Sequence, residues 1–327
     1  MRTLVVIGCL LLLGCKLTST KNEELNTYWL HKGNLPCTGQ LMVEYPSGQT
    51  YFRQGPNDFG DSLFVIGSVS KQMTAVLVLQ CYDQGLLQLD VPIRRYLPSL
   101  TDAWADSVTI HQLLTHTHGI DSLGKPLTFF PGKGFHYSNF GYHLLAQVAS
   151  AVRKKTQEQL FTELFQQCEM THSFYPKESL RSRIANYTYL DSLDQEITEA
   201  NPMENYPAAG ALLSNAADLI QWAGALHGGK LLSDSTYQKM ITPYPEAVRD
   251  HPVFGKTTYG YGVTIANING HLRIGHTGFA PGFCSMCYHF PDQRLTVVLV
   301  ENRAFPDNMV KSFSHHVEFL NIIENWQ

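Results

Sequence analysis

Hydrophobic and polar positions divide this 327-residue chain into strand-like ends and a helix-like middle. Near the start, Thr38 to Glu44 alternates loosely, Pro46-Ser47-Gly48 supplies a turn, and Thr50 to Arg53 resumes an extended pattern. Together they read as a hairpin. Toward the end, Tyr259 to Ile265, His271 to Gly275, Gly282 to Phe290 and Leu295 to Glu301 read as strands. The run T-V-V-L-V in the last is the strongest strand signal of the chain. Helical spacing marks Asn139 to Arg153, with Leu144, Leu145, Val148 and Ala149 on one face. It also marks Thr156 to Gln167, Ala216 to His227 behind the cap Ser214, Ser233 to Met240, and Asp307 to Ile323. The last has Val310, Phe313, Val317, Leu320 and Ile323 as its apolar face. Glu23 to His31 and Thr109 to His116 predict shorter helices, the second capped by Thr109. Tyr175 to Pro207, broken by three prolines, predicts an irregular connection.

This order predicts an α+β fold. Segments 25–79 and 206–327 form an α/β sandwich, an antiparallel sheet flanked by helices, and 80–205 forms a mainly helical lobe. A site is expected between the two, where pockets favour such junctions.

The N-terminus follows a different rule. The apolar run Leu4 to Gly14 has eleven residues, which as a helix reach about 16 Å against a hydrocarbon core of about 30 Å. Residues 1–14 therefore read as a signal peptide. Leu12-Leu13-Gly14-Cys15 resembles a bacterial lipoprotein box, which implies lipid attachment at Cys15, a polar tether over 15–24, and an exported protein in the periplasm or at the outer membrane. Lys16, where Asp would imply inner-membrane retention, favours the outer membrane.

Composition narrows the classes. Hydrophobic residues make up 44%, charged residues 16%, and the net charge is −4. With no long basic run, nucleic acid is not an expected partner. Beyond Cys9 and Cys15, Cys37, Cys81, Cys168, Cys284 and Cys287 are expected as buried thiols. His111, His116 and His118 lack metal-ligand context, and the adjacent pair His315-His316 lacks helical ligand spacing. No cofactor or metal is expected. Asn186-Tyr187-Thr188 fits a glycosylation acceptor, which carries no weight in a bacterial lipoprotein.

Chemistry enters at Phe64 to Ala75, F-V-I-G-S-V-S-K-Q-M-T-A. A helix starting near Ser68 places Ser68 and Lys71 one turn apart on one face. A serine hydroxyl needs a base in contact to become nucleophilic. A lysine acting as a neutral base near pH 7 must give up about 4 kcal/mol of preference for its charged form.

S-x-x-K followed in order by Tyr137-Ser138-Asn139 and His276-Thr277-Gly278 resembles the three motifs of the serine beta-lactamase and penicillin-binding protein superfamily. The similarity is to its class C-related branch of beta-lactamases, DD-peptidases and esterases. The flanking phrases I-G-S-V-S-K-Q-M-T-A, L-L-T-H-T-H-G-I, F-H-Y-S-N-F-G-Y and Y-P-A-A-G-A-L-L-S-N match as well, from Thr38 to the C-terminus. The resemblance implies a beta-lactamase/transpeptidase-like fold, with Ser68 as the acylated nucleophile and Lys71 and Tyr137 sharing the proton transfers. It implies Asn139, His276, Thr277 and Gly278 as substrate-binding residues, and the backbone N–H groups of Ser68 and Phe279 as the oxyanion hole. The implied substrate is a small molecule or peptide, an amide or ester such as a D-alanyl peptide derived from peptidoglycan, a simple ester or a beta-lactam. The alternative is a non-catalytic scaffold that keeps the fold. His276 stands where true class C beta-lactamases have Lys. Carboxylate recognition is therefore expected to be weak or pH-dependent, with an arginine such as Arg303 assisting.

Overall fold

The computed structural model describes residues 19–30, 35–55, 59–190, 195 and 206–326. In chain order the strands and helices are a helix over 19–30 (α1), β1 (Gly39–Glu44), β2 (Thr50–Gln54), β3 (Phe64–Val65), α2 (Ser70–Asp83), α3 (Ile110–Leu114), α4 (Asn139–Arg153) and α5 (Gln157–Gln167). Next come β4 (Thr188–Tyr189), α6 (Pro207–Gly210), β5 (Leu213–Ser214), α7 (Ala216–His227), α8 (Asp234–Met240), β6 (Tyr244–His251), β7 (Gly255–Tyr259) and β8 (Thr264–Ile268). The chain closes with β9 (His271–Ala280), β10 (Phe283–Phe290), β11 (Leu295–Glu301), β12 (Arg303–Ala304), α9 (Met309–Ser312) and α10 (Ser314–Glu324).

Eight strands form one sheet in the order β2-β1-β11-β10-β9-β8-β7-β6, every neighbouring pair antiparallel. All seven residues of β11 are buried, because both faces of the sheet are covered there. Val297 and Leu299 pack with Leu25 of α1 and Phe319, Leu320 and Ile323 of α10. Val298 and Val300 face the other way, into the core shared with Leu219 and Ile220 of α7. Strand alternation sends successive side chains to opposite faces, so a continuous apolar run is what a strand covered on both sides requires. The α+β architecture, an antiparallel sheet flanked by helices, is the one expected.

Several elements differ from expectation. Residues 19–24, expected in a tether, are helical, and Glu24 accepts a hydrogen bond from the Trp326 indole at 2.7 Å. The expected leader and the lipid-attachment residue Cys15 lie outside the described residues. The expected strand Tyr259 to Ile265 is broken by a turn, closed by Gly260 N–H donating to the Val263 carbonyl at 2.9 Å. Gly262 adopts φ +74°, and a Cβ there would lie 2.6 Å from the Lys71 carbonyl oxygen. The turn is pressed onto α2, and only glycine allows that approach. The expected helix Asp307 to Ile323 divides into α9 and α10 at Phe313. The Ser312 hydroxyl bonds both the N–H and the carbonyl of Phe305, tying that turn to the preceding loop, and Val310 is left exposed. Two strands, β6 and β7, begin where no strand is expected, and β6 is the edge of the sheet. Among the described residues no helix is long and apolar enough to cross a membrane.

Candidate active site

From Leu63 to Leu79 every residue is buried except Ser68. A short 3-10 turn, Gly67–Val69, precedes α2 and lifts Ser68 out of the core. The turn depends on Gly67, at φ +51°: a Cβ there would lie 2.5 Å from the Phe279 nitrogen. Gly278 makes the reciprocal demand, since its Cβ would meet the Ile66 carbonyl oxygen at 2.1 Å. The two glycines let the start of α2 and strand β9 touch backbone to backbone. The N–H groups of Ser68 and Phe279 therefore lie on adjoining backbone segments.

Lys71 is fully buried, and its Nζ lies 3.0 Å from Ser68 Oγ, 2.7 Å from Asn139 Oδ1 and 2.6 Å from the Ala209 carbonyl. Burial first, and the Arg249 guanidinium second, hold its pKa well below the ordinary lysine value. A neutral amine suits these contacts: two N–H bonds go to the amide and carbonyl acceptors, and the lone pair faces the serine hydroxyl.

Tyr137 and Asn139 flank Ser138, whose side chain caps α4 by accepting from Gly141 N–H at 3.1 Å. The cap turns the chain so that Tyr137 and Asn139 both reach Lys71. Nζ is 4.8 Å from the Tyr137 ring centroid. The Tyr137 hydroxyl faces Ser68 without a hydrogen bond of ordinary geometry. Burial raises its pKa, with Arg249 and Ser68 pulling the other way. The buried His116 ring packs 4.5 Å from that of Tyr137, and its Nδ1 accepts from Ser138 N–H at 3.2 Å. His118 accepts from Ile120 N–H through Nδ1 at 2.8 Å. Both serve the loop before α4.

His276 is fully buried, and its Nδ1 lies against the Thr277 carbonyl. Its Nε2 is 3.0 Å from the Tyr259 hydroxyl. Burial, then Arg249 and Lys71, hold its pKa well below 6.5, so the ring is neutral at physiological pH. A neutral ring offers a carboxylate no charge, in keeping with the weak recognition expected at this position. Arg303 is not at the site either: its guanidinium donates to the Pro36 carbonyl at 2.7 Å. The cation is Arg249 on β6, half-buried, with Cζ 4.3 Å from the Tyr137 ring centroid and Nη1 3.5 Å from His276 Nε2.

The family model that matches is beta-lactamase, over residues 39–315. The chain belongs to the beta-lactamase family. It is similar to penicillin-binding protein 4 of Amycolatopsis lactamdurans, 26% identical over 302 residues, which cover 80% of this chain and 77% of that protein. A shorter stretch of 137 residues is 35% identical to esterase EstB of Burkholderia gladioli, covering 31% of this chain and 35% of that one. Among solved structures, D-amino acid amidase from Ochrobactrum anthropi superposes with a TM-score of 0.77 at 20% identity, over 95% of this chain and 99% of that one.

Within this beta-lactamase fold, the sequence reading missed Arg249, Tyr259 and the Ala209 carbonyl. Arg249 lies in Y-P-E-A-V-R-D-H, where Pro245 argues against a central strand. Proline is tolerated on an edge strand, and that is the position of β6. Ala209 lies in the matching phrase Y-P-A-A-G-A-L-L-S-N, but a backbone acceptor leaves no residue-type signal.

Proposed function

We propose that this beta-lactamase-family protein is an acyl-serine hydrolase acting on an amide or ester next to a carboxylate, of which a D-alanyl peptide is the model. One observation carries the reading: the single residue of its segment that reaches solvent, Ser68, contacts a buried lysine whose ammonium form is disfavoured. Neutral Lys71 takes the Ser68 proton as Oγ bonds to the substrate carbonyl carbon. The Ser68 and Phe279 N–H groups hold the resulting oxyanion. The carbonyl re-forms, the bond to the amine or alcohol breaks, and the leaving group takes the proton from Lys71 by way of the Tyr137 hydroxyl. Water then attacks the acyl carbon as Lys71 takes its proton, the bond to Oγ breaks, and Lys71 passes that proton to Oγ, which restores the Ser68 hydroxyl and the neutral amine. Tyr137 stays a phenol at rest, because burial outweighs the pull of Arg249 and Ser68 toward phenolate.

Arg249 favours a substrate carboxylate. The described side chains around Lys71 and Arg249 include no acidic partner, so an incoming anion is the group that balances them. A simple ester is the second reading, supported by the stretch similar to an esterase. The protein is further proposed to act at the bacterial envelope, held by lipid on Cys15. Intact-mass analysis of wild type and Cys15→Ser from membrane fractions tests this, and an unmodified wild type refutes it.

The reaction is tested by incubating wild type and Ser68→Ala with a fluorophosphonate and with a penicillin, then measuring intact mass. Wild type is expected to gain one adduct and S68A none. Persistent labelling of S68A overturns the nucleophile. Absence of any adduct on wild type supports a scaffold that has kept the fold.

A further inference from the structure

At the opposite end of β11 from its entry turn, three buried donor groups converge: the Cys37 thiol, the Glu301 carboxylate and the His315 imidazole. Their donor atoms all lie within 4.8 Å of one another. They come from the segment before β1, the last residue of β11 and the second residue of α10, and each is at most 3% exposed. We propose that this trio is a structural site for a thiophilic divalent metal ion of the zinc class.

The donor set selects the ion. A thiolate and an imidazole favour Zn²⁺ or Co²⁺ over the oxygen-seeking Mg²⁺ and Ca²⁺. Tetrahedral zinc, with bonds of about 2.0–2.3 Å, spaces its ligands about 3.3–3.8 Å apart, so His315 Nδ1 and Glu301 Oε1, 2.9 Å apart, would part slightly to admit the ion, and the trio would fill three of its four positions with a water in the fourth. His315 is already held as a ligand would be: Nε2 donates to the Leu35 carbonyl at 2.8 Å, leaving Nδ1 aimed at the other donors. In the present structure His315 Nδ1 lies 2.9 Å from Glu301 Oε1, within hydrogen-bond distance. Thr38 N–H also reaches Oε1, at 3.2 Å.

A second observation points to the same place. His316 is fully buried, and neither ring nitrogen makes a hydrogen bond of ordinary geometry. Its Nδ1 faces Glu301 Oε2 from 3.5 Å, and the Cys284 backbone lies beside the ring. With an ion on Oε1, this second oxygen is the one His316 orients.

Binding replaces protons. The Cys37 thiol and His315 Nδ1 each release one, and the ion takes their place among a thiolate, a carboxylate and a neutral imidazole. The two negative ligands cancel the ion's charge, so the filled site stays electrically neutral in the core. Ligands from three distant segments would pin α10 and the N-terminal segment to the sheet, the nearest of them, Cys37, 31 positions before Ser68 (68 − 37).

The test uses the full chain, stripped with a chelator and titrated with Co²⁺ and then Zn²⁺. One equivalent of Co²⁺ is expected to raise a thiolate-to-cobalt charge-transfer absorption, which Zn²⁺ abolishes by displacement, and Zn²⁺ is expected to raise the melting temperature. Cys37→Ser should lose both effects, and Cys168→Ser, at the end of α5, should keep them. Absence of the band in wild type, or a band that survives C37S, overturns the proposal. Should C37S fail to fold, alkylation of wild-type cysteines followed by peptide mass analysis gives the answer. Zn²⁺ must slow modification of Cys37 more than that of Cys168, and equal protection overturns the site. Penicillin labelling of Ser68 is read in parallel, so failure of the metal site is distinguishable from failure of the hydrolase reading.

Discussion

The Arg249 guanidinium lies over the Tyr137 ring, 4.3 Å from its centroid, and joins an edge strand to the residue proposed to relay protons beside Ser68. A cation held on an aromatic face keeps much of its charge available at its edge. Arg249→Gln is therefore expected to lower kcat/KM for D-alanyl peptides by about 10- to 100-fold, the worth of a charge-assisted hydrogen bond. Turnover of an uncharged short ester should change by only a few-fold. Steady-state kinetics on the two substrates separate the roles; an equal loss on both would assign Arg249 to Tyr137 rather than to the substrate.

Lys71 sets the pH dependence. The rate of Ser68 labelling by a non-ionising fluorophosphonate should rise with pH as Lys71 loses its proton, then level off below the ordinary lysine value of about 10.4. The same depression affects folding with a definite sign. Unfolded Lys71 binds a proton more readily than the buried amine, so stability rises with pH between the folded pKa and about 10.4. Denaturation midpoints across that range should show the rise in wild type and its loss in Lys71→Met.

Tyr137→Phe keeps the ring between His116, Lys71 and Arg249 and removes only the hydroxyl. Thermal stability should move little, since that hydroxyl makes no hydrogen bond of ordinary geometry. Acylation is expected to slow by about 100- to 10,000-fold, the range of a lost proton-transfer group. Stopped-flow labelling with a chromogenic cephalosporin measures it.

Gly67→Ala tests the oxyanion geometry. The new Cβ would sit 2.5 Å from the Phe279 nitrogen at a positive φ, so the start of α2 must retreat from β9. We expect about 1–3 kcal/mol of destabilisation and a much larger loss of acylation, because the two N–H groups no longer converge. Calorimetry paired with labelling rates resolves the two effects.

Much of this protein is written in short-range pattern. The run Leu295 to Glu301 announced a strand, and it is a fully buried interior strand of the sheet. Ser68 and Lys71 were legible because one helical turn suffices to bring them together, and the structure places Nζ 3.0 Å from Oγ. The helix capped by Thr109 declared itself through a side chain bonding the N–H three residues on, whereas the cap expected at Ser214 falls to Asn215, whose side chain accepts from Asp218 N–H. The local signals failed where a distant element decides. Tyr259 to Ile265 reads as one strand until Lys71 and Ala75 press on Gly262 and fold a turn into it. The charge of His276 depends on burial and on Arg249, 27 positions earlier in the chain, and neither is visible in the H-T-G triplet. Nor does His315 have possible co-ligands until Cys37 and Glu301 arrive from distant parts of the chain. Amino-acid order determined the elements and the reacting pair, because backbone geometry repeats over a few residues. Tertiary structure alone decided which cation lies beside Tyr137 and His276 and which buried groups share a space, because those contacts close loops of tens to hundreds of residues.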